Sequence, residues 1–380
     1  MKSAKRLRFY TSLRERKQGK KINGVPNDMG KKIAIVGAGA VGAHVAGYLT
    51  REGHDLTVID IWPEHVEVMR KTGLTLEGMT EAECFTIKIN AIHVTELQQI
   101  AKSNPFDIAF ICPKSYDTVW HTQMIAQYLA TDGFCVSLQN SINEERIASI
   151  VGWDKVIGCI ASTIAVDLDR PGHVNRNVAL GGERHTIFRV GEPHGRVTSR
   201  IEEVADILRT IDSSKTTTNL WGERWSKLCV NAMRNPVAAA TGQSGNTNDR
   251  DPITRRLSVN LAGEACKIGI AHGYDLENIY KMPPKQLIAA REGDEKAMQA
   301  CCDVIVENAN FRNDDQRPSM GQDMLKGRRT EIDFISGLVV NKAQELSLDV
   351  PCNAGILEVV KKVERREIPA SPEAISHIVP

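Results

Sequence analysis

The sequence lacks the residue patterns that would mark a metal-binding, disulfide-rich or nucleic-acid-binding protein. Its nine cysteines include no C-x-x-C pair and its ten histidines no pair spaced i, i+4, so we expect no zinc site and no other bound metal. An odd number of scattered cysteines is typical of reduced thiols and favours a cytoplasmic location. The formal net charge is only +1, which gives no reason to expect nucleic acid or an anionic membrane as a partner.

Long apolar runs are also lacking, although one segment imitates a secretory signal peptide. An uncharged stretch from Ile33 to Leu49 follows a strongly basic N-terminal segment. It is interrupted by four glycines and is shorter than the ~20 residues of a membrane span, so we expect no association with a membrane. The basic residues 1–30 have almost no apolar periodicity and are expected to form a disordered extension, with an organelle-targeting leader as the alternative.

What the first half of the chain does contain is an alternation of short apolar runs and helical patterns. This alternation predicts an α/β domain in which helices cover both faces of a parallel sheet. The predicted strands are 33–36, 56–59, 106–112, 134–138, 156–161, 178–180 and 185–190, and the predicted helices are one from Val41 onward, 64–71, 117–129 and 197–211.

After about Asn219 the pattern changes to successive helices, so we predict an all-α C-terminal domain. The predicted helices there are 221–240, 253–272, 295–308, 321–345 and 354–366. We place the domains at residues 31–218 and 219–380. The polar stretch 308–319 is predicted to be a long loop, and such loops are often functional.

A glycine motif follows the first predicted strand and precedes a helix. In this G-x-G-x-x-G pattern, Gly37 allows a tight turn, Gly39 lets the backbone approach a pyrophosphate, and Gly42 lets helix and strand pack closely. The context predicts a Rossmann dinucleotide-binding domain. The cofactor-binding residues predicted in the turn are Gly37, Gly39, Ala40, Val41 and Gly42.

Asp60 ends the second predicted strand, 18 residues beyond Gly42. A carboxylate at this position accepts hydrogen bonds from the adenosine ribose and repels a 2′-phosphate. The following residue is Ile61 rather than a cation, so the sequence favours NAD over NADP as the cofactor. The alternative is a surface aspartate that simply ends a strand.

Polar residues elsewhere form three further candidate groups. Lys114 and Asn140 follow two predicted strands, where solvated loop residues are the alternative. Lys227, Asn231 and Asn235 lie within about 80° on one face of a predicted helix, which indicates either a polar cleft or an ordinary solvated face. The third group is the charged segment from Ser319 to Glu331, which by itself gives no indication of a catalytic or binding role.

Taken together, these motifs resemble the ketopantoate reductase (2-dehydropantoate 2-reductase) family over residues 31 to about 366. The resemblance rests on the glycine motif, Lys114, Gln139-Asn140, Lys227-x-x-x-Asn231-x-x-x-Asn235-Pro236, Ser319-Met320-x-x-Asp323 and Thr330-Glu331-Ile332-Asp333. It implies NAD(P)-dependent hydride transfer to a 2-oxo acid, with the helix lysine as the general acid. A 3-hydroxyacid dehydrogenase-like enzyme and a non-catalytic dinucleotide sensor are the alternatives.

The resemblance also implies a role for each matching residue. Lys227 would donate a proton to the substrate's C2 carbonyl oxygen, and Glu331 would hold a substrate hydroxyl or orient Lys227. The substrate-binding residues would be Asn231, Asn235 and Ser319, and the residues lining the nicotinamide end would be Lys114 and Asn140. The implied partner is a small-molecule 2-oxo or 2-hydroxy acid, and a homodimer is left open.

Three departures from the family's usual pattern bear on specificity. Ser141 stands where the family usually has glycine, Asp60-Ile61 where NADPH-using members carry a cation, and residues 281–318 look longer than usual. We expect Ser141 to narrow the nicotinamide end or add a hydrogen bond there. Two arginines of the long segment, Arg312 and Arg317, either contact an anionic substrate or are solvated. From these departures we predict that ketopantoate is not the best substrate. The alternative is an NAD-using ketopantoate reductase in which the changes at these positions are neutral.

Overall fold

The computed structural model describes residues 30–100, 105–311 and 314–378. The extension predicted for residues 1–30 lies outside them except for Gly30. From Lys31 onward the described chain forms one compact unit.

A large, mostly parallel sheet organises the first half, as the alternating pattern predicts. The strands are β1 (Ile33–Val36), β2 (Leu56–Asp60), β3 (Leu74–Glu77), β4 (Phe85–Ile87), β5 (Ala91–His93), β6 (Phe106–Ile111), β7 (Leu129–Ser137), β8 (Val156–Ala161), β9 (Val166–Arg170), β10 (His173–Arg176), β11 (Phe188–Gly191) and β12 (Ser214–Thr217). Eight of them form the large sheet in the order β12-β11-β8-β7-β6-β1-β2-β5, with β11 antiparallel to β8. Strand β1 pairs with both β2 and β6, so the strand order reverses beside the glycine motif, where such sheets bind ligands.

The helices of this half alternate with the strands along the chain, and the predicted α/β class is confirmed. They are α1 (Ala40–Arg51), α2 (Pro63–Lys71), α3 (Thr118–Ala126), α4 (Glu144–Val151) and α5 (Ser199–Arg209). Every residue of β1 is buried, which explains its uninterrupted apolar sequence.

A second sheet, of four strands in the order β4-β3-β10-β9, packs near α1 and is missed by the sequence analysis. Its strands are three to five residues long and carry many polar side chains, so their apolar signal is weak. The strand predicted at 178–180 is wrong, because the Arg176 guanidinium takes the carbonyl oxygens of Val178 and Ala179 away from any ladder.

The second half is helical, and its helices pack around α6. They are α6 (Leu220–Thr241), α7 (Gly245–Arg250), α8 (Pro252–Ala271), α9 (Pro284–Arg291), α10 (Glu295–Ala309), α11 (Ser319–Leu325), α12 (Ser336–Glu345) and α13 (Pro351–Glu364). Trp225 anchors α6 against α8, since its ring is fully buried and its Nε1–H donates to the Ala265 carbonyl at 2.8 Å. In the part of the chain that the structure describes, no helix is long and apolar enough to cross a membrane.

The single helix predicted at 321–345 is wrong, because the segment divides into α11 and α12. After α11 the chain turns at Gly327, whose φ of 63° lies in the left-handed region. A short 3-10 turn at Ile332–Phe334 precedes α12. The break matters for the site, because it leaves Glu331 in a non-helical segment that lines the cavity between the two halves.

Candidate active site

A cavity of about 660 Å³ lies between the carboxyl ends of the sheet strands and the helices of the second half. It is lined by the residues after β1, β2, β6 and β7 and by α6 and α11. Every site residue predicted from the sequence except Gly42 lines it: Gly37, Gly39, Ala40, Val41, Asp60, Lys114, Asn140, Lys227, Asn231, Asn235, Ser319 and Glu331. Among the described residues no cluster of histidine, cysteine and carboxylate side chains is suited to a metal ion.

Two glycines of the turn have no room for a side chain. A third glycine faces open space, where a ligand could approach. Gly37 has a φ of 88°, and a Cβ atom there would lie 2.9 Å from the backbone nitrogen of Pro113. A Cβ atom at Gly42 would lie 2.1 Å from the Gly37 carbonyl oxygen. Gly39, by contrast, has open space at its Cβ position, and no side chain caps the N-terminus of α1. The first amides of α1 are therefore available to an anionic group.

Asp60 is held rigidly beside this turn. Its carboxylate accepts hydrogen bonds from the backbone N–H of Ala38 at 2.5 Å and of Trp62 at 2.8 Å, and only 8% of the residue is exposed. Asp60 therefore also braces the glycine turn, which the sequence analysis did not foresee.

A cation that the sequence does not indicate lies near Trp62, two residues after Asp60. Arg328 lines the same cavity as Asp60 and Ile61, and its guanidinium carbon lies 5.8 Å from the centre of the Trp62 ring. Arg328 follows the turn at Gly327 and is remote from Asp60 in sequence. The residues next to Asp60 in the sequence therefore carry no sign of it.

Lys227 projects from α6 into the cavity, where its ammonium group donates to the Ala161 carbonyl oxygen. Burial lowers the pKa of Lys227 to about 8, the nearby Arg224 charge adds to that shift, and the Glu331 charge opposes it. A lysine with such a pKa can exchange a proton near neutral pH.

Arg224 is a buried structural residue beside the site that the sequence analysis missed. Its guanidinium is almost fully buried and donates to Glu144 at 2.7 Å, to the Gln139 carbonyl at 2.7 Å and to the Ser137 carbonyl at 2.6 Å. These bonds tie α6 to the end of β7 and so fix the position of Lys227 relative to the sheet. The sequence signal that could have revealed Arg224 is a charged residue about one turn before Lys227, on the side of the helix that is otherwise apolar.

Glu331 bonds to the loop after β6 rather than to Lys227. Its carboxylate accepts hydrogen bonds from the Ser115 backbone N–H at 2.8 Å and from the Ser115 hydroxyl at 2.7 Å. Lys114 lies between two carboxylates, with its ammonium 2.6 Å from Asp323 and 3.6 Å from Glu331. Burial acts to lower the pKa of Lys114, but the charges of Glu331 and Asp323 outweigh it and raise that pKa above its ordinary value. Lys114 is therefore a cation held between the two halves.

The remaining polar residues gather at the α6–α11 end of the cavity. Asn235 Nδ2 lies 3.5 Å from the Ser319 hydroxyl, its hydrogen-bond partner. The Nδ2 atom of Asn231 is buried and makes no hydrogen bond within the described chain. Buried amides without a partner are uncommon, so Asn231 offers a donor to a ligand in the cavity.

The expectation for Ser141 is wrong. Its side chain does not line the cavity, and its hydroxyl donates to the Phe334 carbonyl at 2.5 Å. Its φ of 66° explains why glycine suits this position. Of the long segment 281–318, only Gln316, Arg317 and Pro318 reach the cavity among the described residues, and Arg312 lies outside them.

Comparison with known proteins agrees with these motifs. The model of the family "Ketopantoate reductase PanE/ApbA" matches residues 33–187, and that of "Ketopantoate reductase PanE/ApbA C terminal" matches residues 219–364. A 2-dehydropantoate 2-reductase of Pyrococcus horikoshii is 32% identical over 88% of this chain and 97% of its own length. One from Archaeoglobus fulgidus is 30% identical over 88% and 98%.

Solved structures share the fold. A PanE/ApbA family ketopantoate reductase from Ralstonia eutropha has a TM-score of 0.71 at 25% identity, covering 88% of this chain and 99% of its own. A ternary complex of D-mandelate dehydrogenase with NADH and anilino(oxo)acetate has a TM-score of 0.72 at 20% identity, covering 88% and 98%. The chain therefore belongs to the ketopantoate reductase family of NAD(P)-dependent oxidoreductases.

Proposed function

We propose that this protein interconverts a 2-oxo acid and its 2-hydroxy acid by hydride transfer, with NAD(H) preferred over NADP(H) and Lys227 as the general acid. The observation that carries the proposal is the position of Lys227. Its ammonium is partly desolvated and lines the cavity. The same cavity is lined by the glycine turn and by three polar residues, Asn231, Asn235 and Ser319.

The glycine turn fits a dinucleotide. Open space at Gly39, the uncapped N-terminus of α1 and the fixed carboxylate of Asp60 are the groups that would hold the pyrophosphate and the adenosine ribose. Ala40, Val41 and Gly42 belong to the same turn, and Asn140 lines the cavity at the end of β7. When bound, the nicotinamide supplies or accepts the hydride.

In the direction of reduction, Lys227 donates a proton to the oxygen at C2 as that oxygen gains negative charge. An ammonium close to the developing alkoxide also stabilises it electrostatically, most strongly where water is excluded. In the direction of oxidation, the neutral amine takes the proton from the hydroxyl group. A pKa near 8 makes both protonation states accessible near neutral pH.

The substrate's polar groups are bound by Asn231, Asn235 and Ser319. The unpartnered amide of Asn231 supports this assignment most directly. We assign Glu331 to positioning: through Ser115 and Lys114 it fixes the loop after β6, and its charge supports the protonated form of Lys227.

The preference for NAD(H) rests on Asp60. Its buried carboxylate lies where a 2′-phosphate would meet a negative charge, whereas the Arg328 side chain is exposed to solvent, which screens its charge. A buried fixed charge outweighs an exposed, screened one, so Asp60 dominates.

We also propose residues 31–218 and 219–380 as the two domains, and a cytoplasmic location, which the nine free thiols support. A homodimer stays a prediction.

The proposed function is tested by following NADH and NADPH oxidation with purified protein over branched, aromatic and dicarboxylic 2-oxo acids, with 3-oxo acids as controls. Turnover confined to 2-oxo acids supports the proposal, and turnover confined to 3-oxo acids contradicts it.

A further inference from the structure

Arg234 is a cation of the cavity to which the sequence analysis gave no role. It lies on α6 seven residues after Lys227, and therefore within about 20° of Lys227 around the helix axis. It lines the cavity together with Lys227, Asn231 and Asn235. The polar face of α6 thus carries two cations, separated by about two helical turns.

The Arg234 guanidinium is held in a defined orientation. Its side chain is 11% exposed, and Nη1 donates to both carboxylate oxygens of Asp249, at 2.9 and 2.8 Å. Its carbon lies 5.1 Å from the centre of the Tyr280 ring. A Cβ atom at Gly245 would lie only 2.9 Å from Nη2, so glycine at that position makes room for the guanidinium. Asp249 is thus engaged by one edge of the group, which leaves Nη2 and Nε for another acceptor.

Arg317 brings a further positive charge to the same end of the cavity. It lines the cavity two residues before Ser319, and its Nη1 donates to the Gly242 carbonyl at 2.6 Å. Among the described residues the Arg317 guanidinium forms no ion pair, and the Gly242 carbonyl is its one hydrogen-bond acceptor. Arg234 is paired with Asp249, whereas Arg317 brings a guanidinium whose one hydrogen-bond acceptor within the described chain is an uncharged carbonyl.

We propose that Arg234 and Arg317 form an anion subsite beyond the reacting carbon, and that the preferred substrates are 2-oxo dicarboxylic acids. The inference rests on the proposed function and names its substrate class. The reaction is 2-oxo dicarboxylate plus NAD(P)H plus a proton giving 2-hydroxy dicarboxylate plus NAD(P)⁺, in which C2 is reduced and the nicotinamide is oxidised. A substrate with an uncharged far end leaves both guanidinium groups without a ligand, and sites of this kind discriminate strongly.

The test compares kcat/KM for 2-oxoglutarate and oxaloacetate with that for 2-oxopentanoate and ketopantoate. We expect the dicarboxylates to be favoured by about 10- to 100-fold, the effect of one charge-assisted hydrogen bond or more. Arg317→Gln should reduce that ratio about tenfold or more. Arg184→Gln is the matched control, because exposed Arg184 also donates to a single backbone carbonyl, that of Leu180, and lies outside the cavity.

A ratio near one in the wild type, or a ratio that Arg317→Gln does not change, overturns the subsite while leaving the proposed function intact. If no 2-oxo acid is turned over at all, the proposed function fails. The subsite is then decided by thermal shift in the presence of NADH. A larger stabilisation by 2-oxoglutarate than by 2-oxopentanoate, lost in Arg317→Gln, supports it, and equal stabilisation overturns it.

Discussion

Glu331 accepts two hydrogen bonds from Ser115, a residue 216 positions earlier in the chain, and thereby joins the loop after β6 to the segment between α11 and α12. The carboxylate also lies 3.6 Å from the Lys114 ammonium, and its charge partly offsets the lowering of the Lys227 pKa that burial causes. One side chain therefore sets the position of the loop after β6 and tunes the proton donor on α6.

Glu331→Gln should lower the pH at which reduction declines. The negative charge of Glu331 holds the Lys227 proton, so its removal lowers the pKa of Lys227 below about 8. Less of the protonated form is then present at a given alkaline pH. The measurement is kcat/KM for reduction against pH. Asp323→Asn is the control, because Asp323 pairs with Lys114 and is not among the charges that shift Lys227. An unmoved alkaline limb in Glu331→Gln contradicts the prediction.

Arg224→Met should destabilise the protein by about 3–5 kcal/mol, because it leaves the buried Glu144 carboxylate without the cation that forms its ion pair. The double variant Arg224→Met with Glu144→Leu should recover part of that loss, since it removes both charges. Urea unfolding measures both free energies. A single variant as stable as the wild type would mean that Arg224 does not hold α6 against the sheet.

Asp60→Asn should shift cofactor use toward NADPH. Asparagine can still accept from the Ala38 N–H group, while the charge that repels a 2′-phosphate is gone. We expect the NADH to NADPH ratio of kcat/KM to fall about tenfold or more, and further when Ile61→Arg is added. Arg328→Ala is the complementary variant. The contradicting result is a wild type whose kcat/KM with NADPH equals or exceeds that with NADH, together with loss of NADPH use in Arg328→Ala. Arg328 would then outweigh Asp60, and the proposed preference would be wrong.

Ser319→Ala should raise KM for the 2-oxo acid while NADH still binds. The Ser319 hydroxyl bonds to Asn235 at the α6–α11 end of the cavity, away from the glycine turn. Removing the hydroxyl costs about 0.5–1.5 kcal/mol, which corresponds to roughly 2- to 12-fold in substrate use. NADH binding is measured by fluorescence titration. Unchanged kcat/KM would leave Ser319 with no role in substrate binding.

The sequence predicts most of the large sheet and the long helices, because their residues are buried in regular patterns that follow the period of each element. It misses the four-stranded sheet, since short strands with polar residues have almost no periodicity. It extends the helix at 321–345 through Gly327, because a single glycine is a weak signal against a helical pattern.

In the candidate site, too, the sequence predicts the residues that belong to a regular pattern and misses the others. Residues in recognisable motifs, such as Lys227 and Asp60, are predicted, and they line one cavity. Arg224, Arg234 and Arg328 are not, because their importance depends on contacts with Glu144, Asp249 and Trp62, which only the folded chain brings near them.

Lys227→Ala, assayed beside the wild type with NADH and the best 2-oxo acid of the panel, tests the central claim most directly. As the general acid, Lys227 should contribute about 10²- to 10⁴-fold to kcat, so the variant loses that factor while its affinity for NADH changes little. In the wild type, reduction should decline as the pH rises through about 8, where Lys227 loses its proton, and oxidation of the 2-hydroxy acid should increase over the same range. A variant with near-normal turnover, or a wild type whose two directions do not diverge across that pH range, would contradict the account.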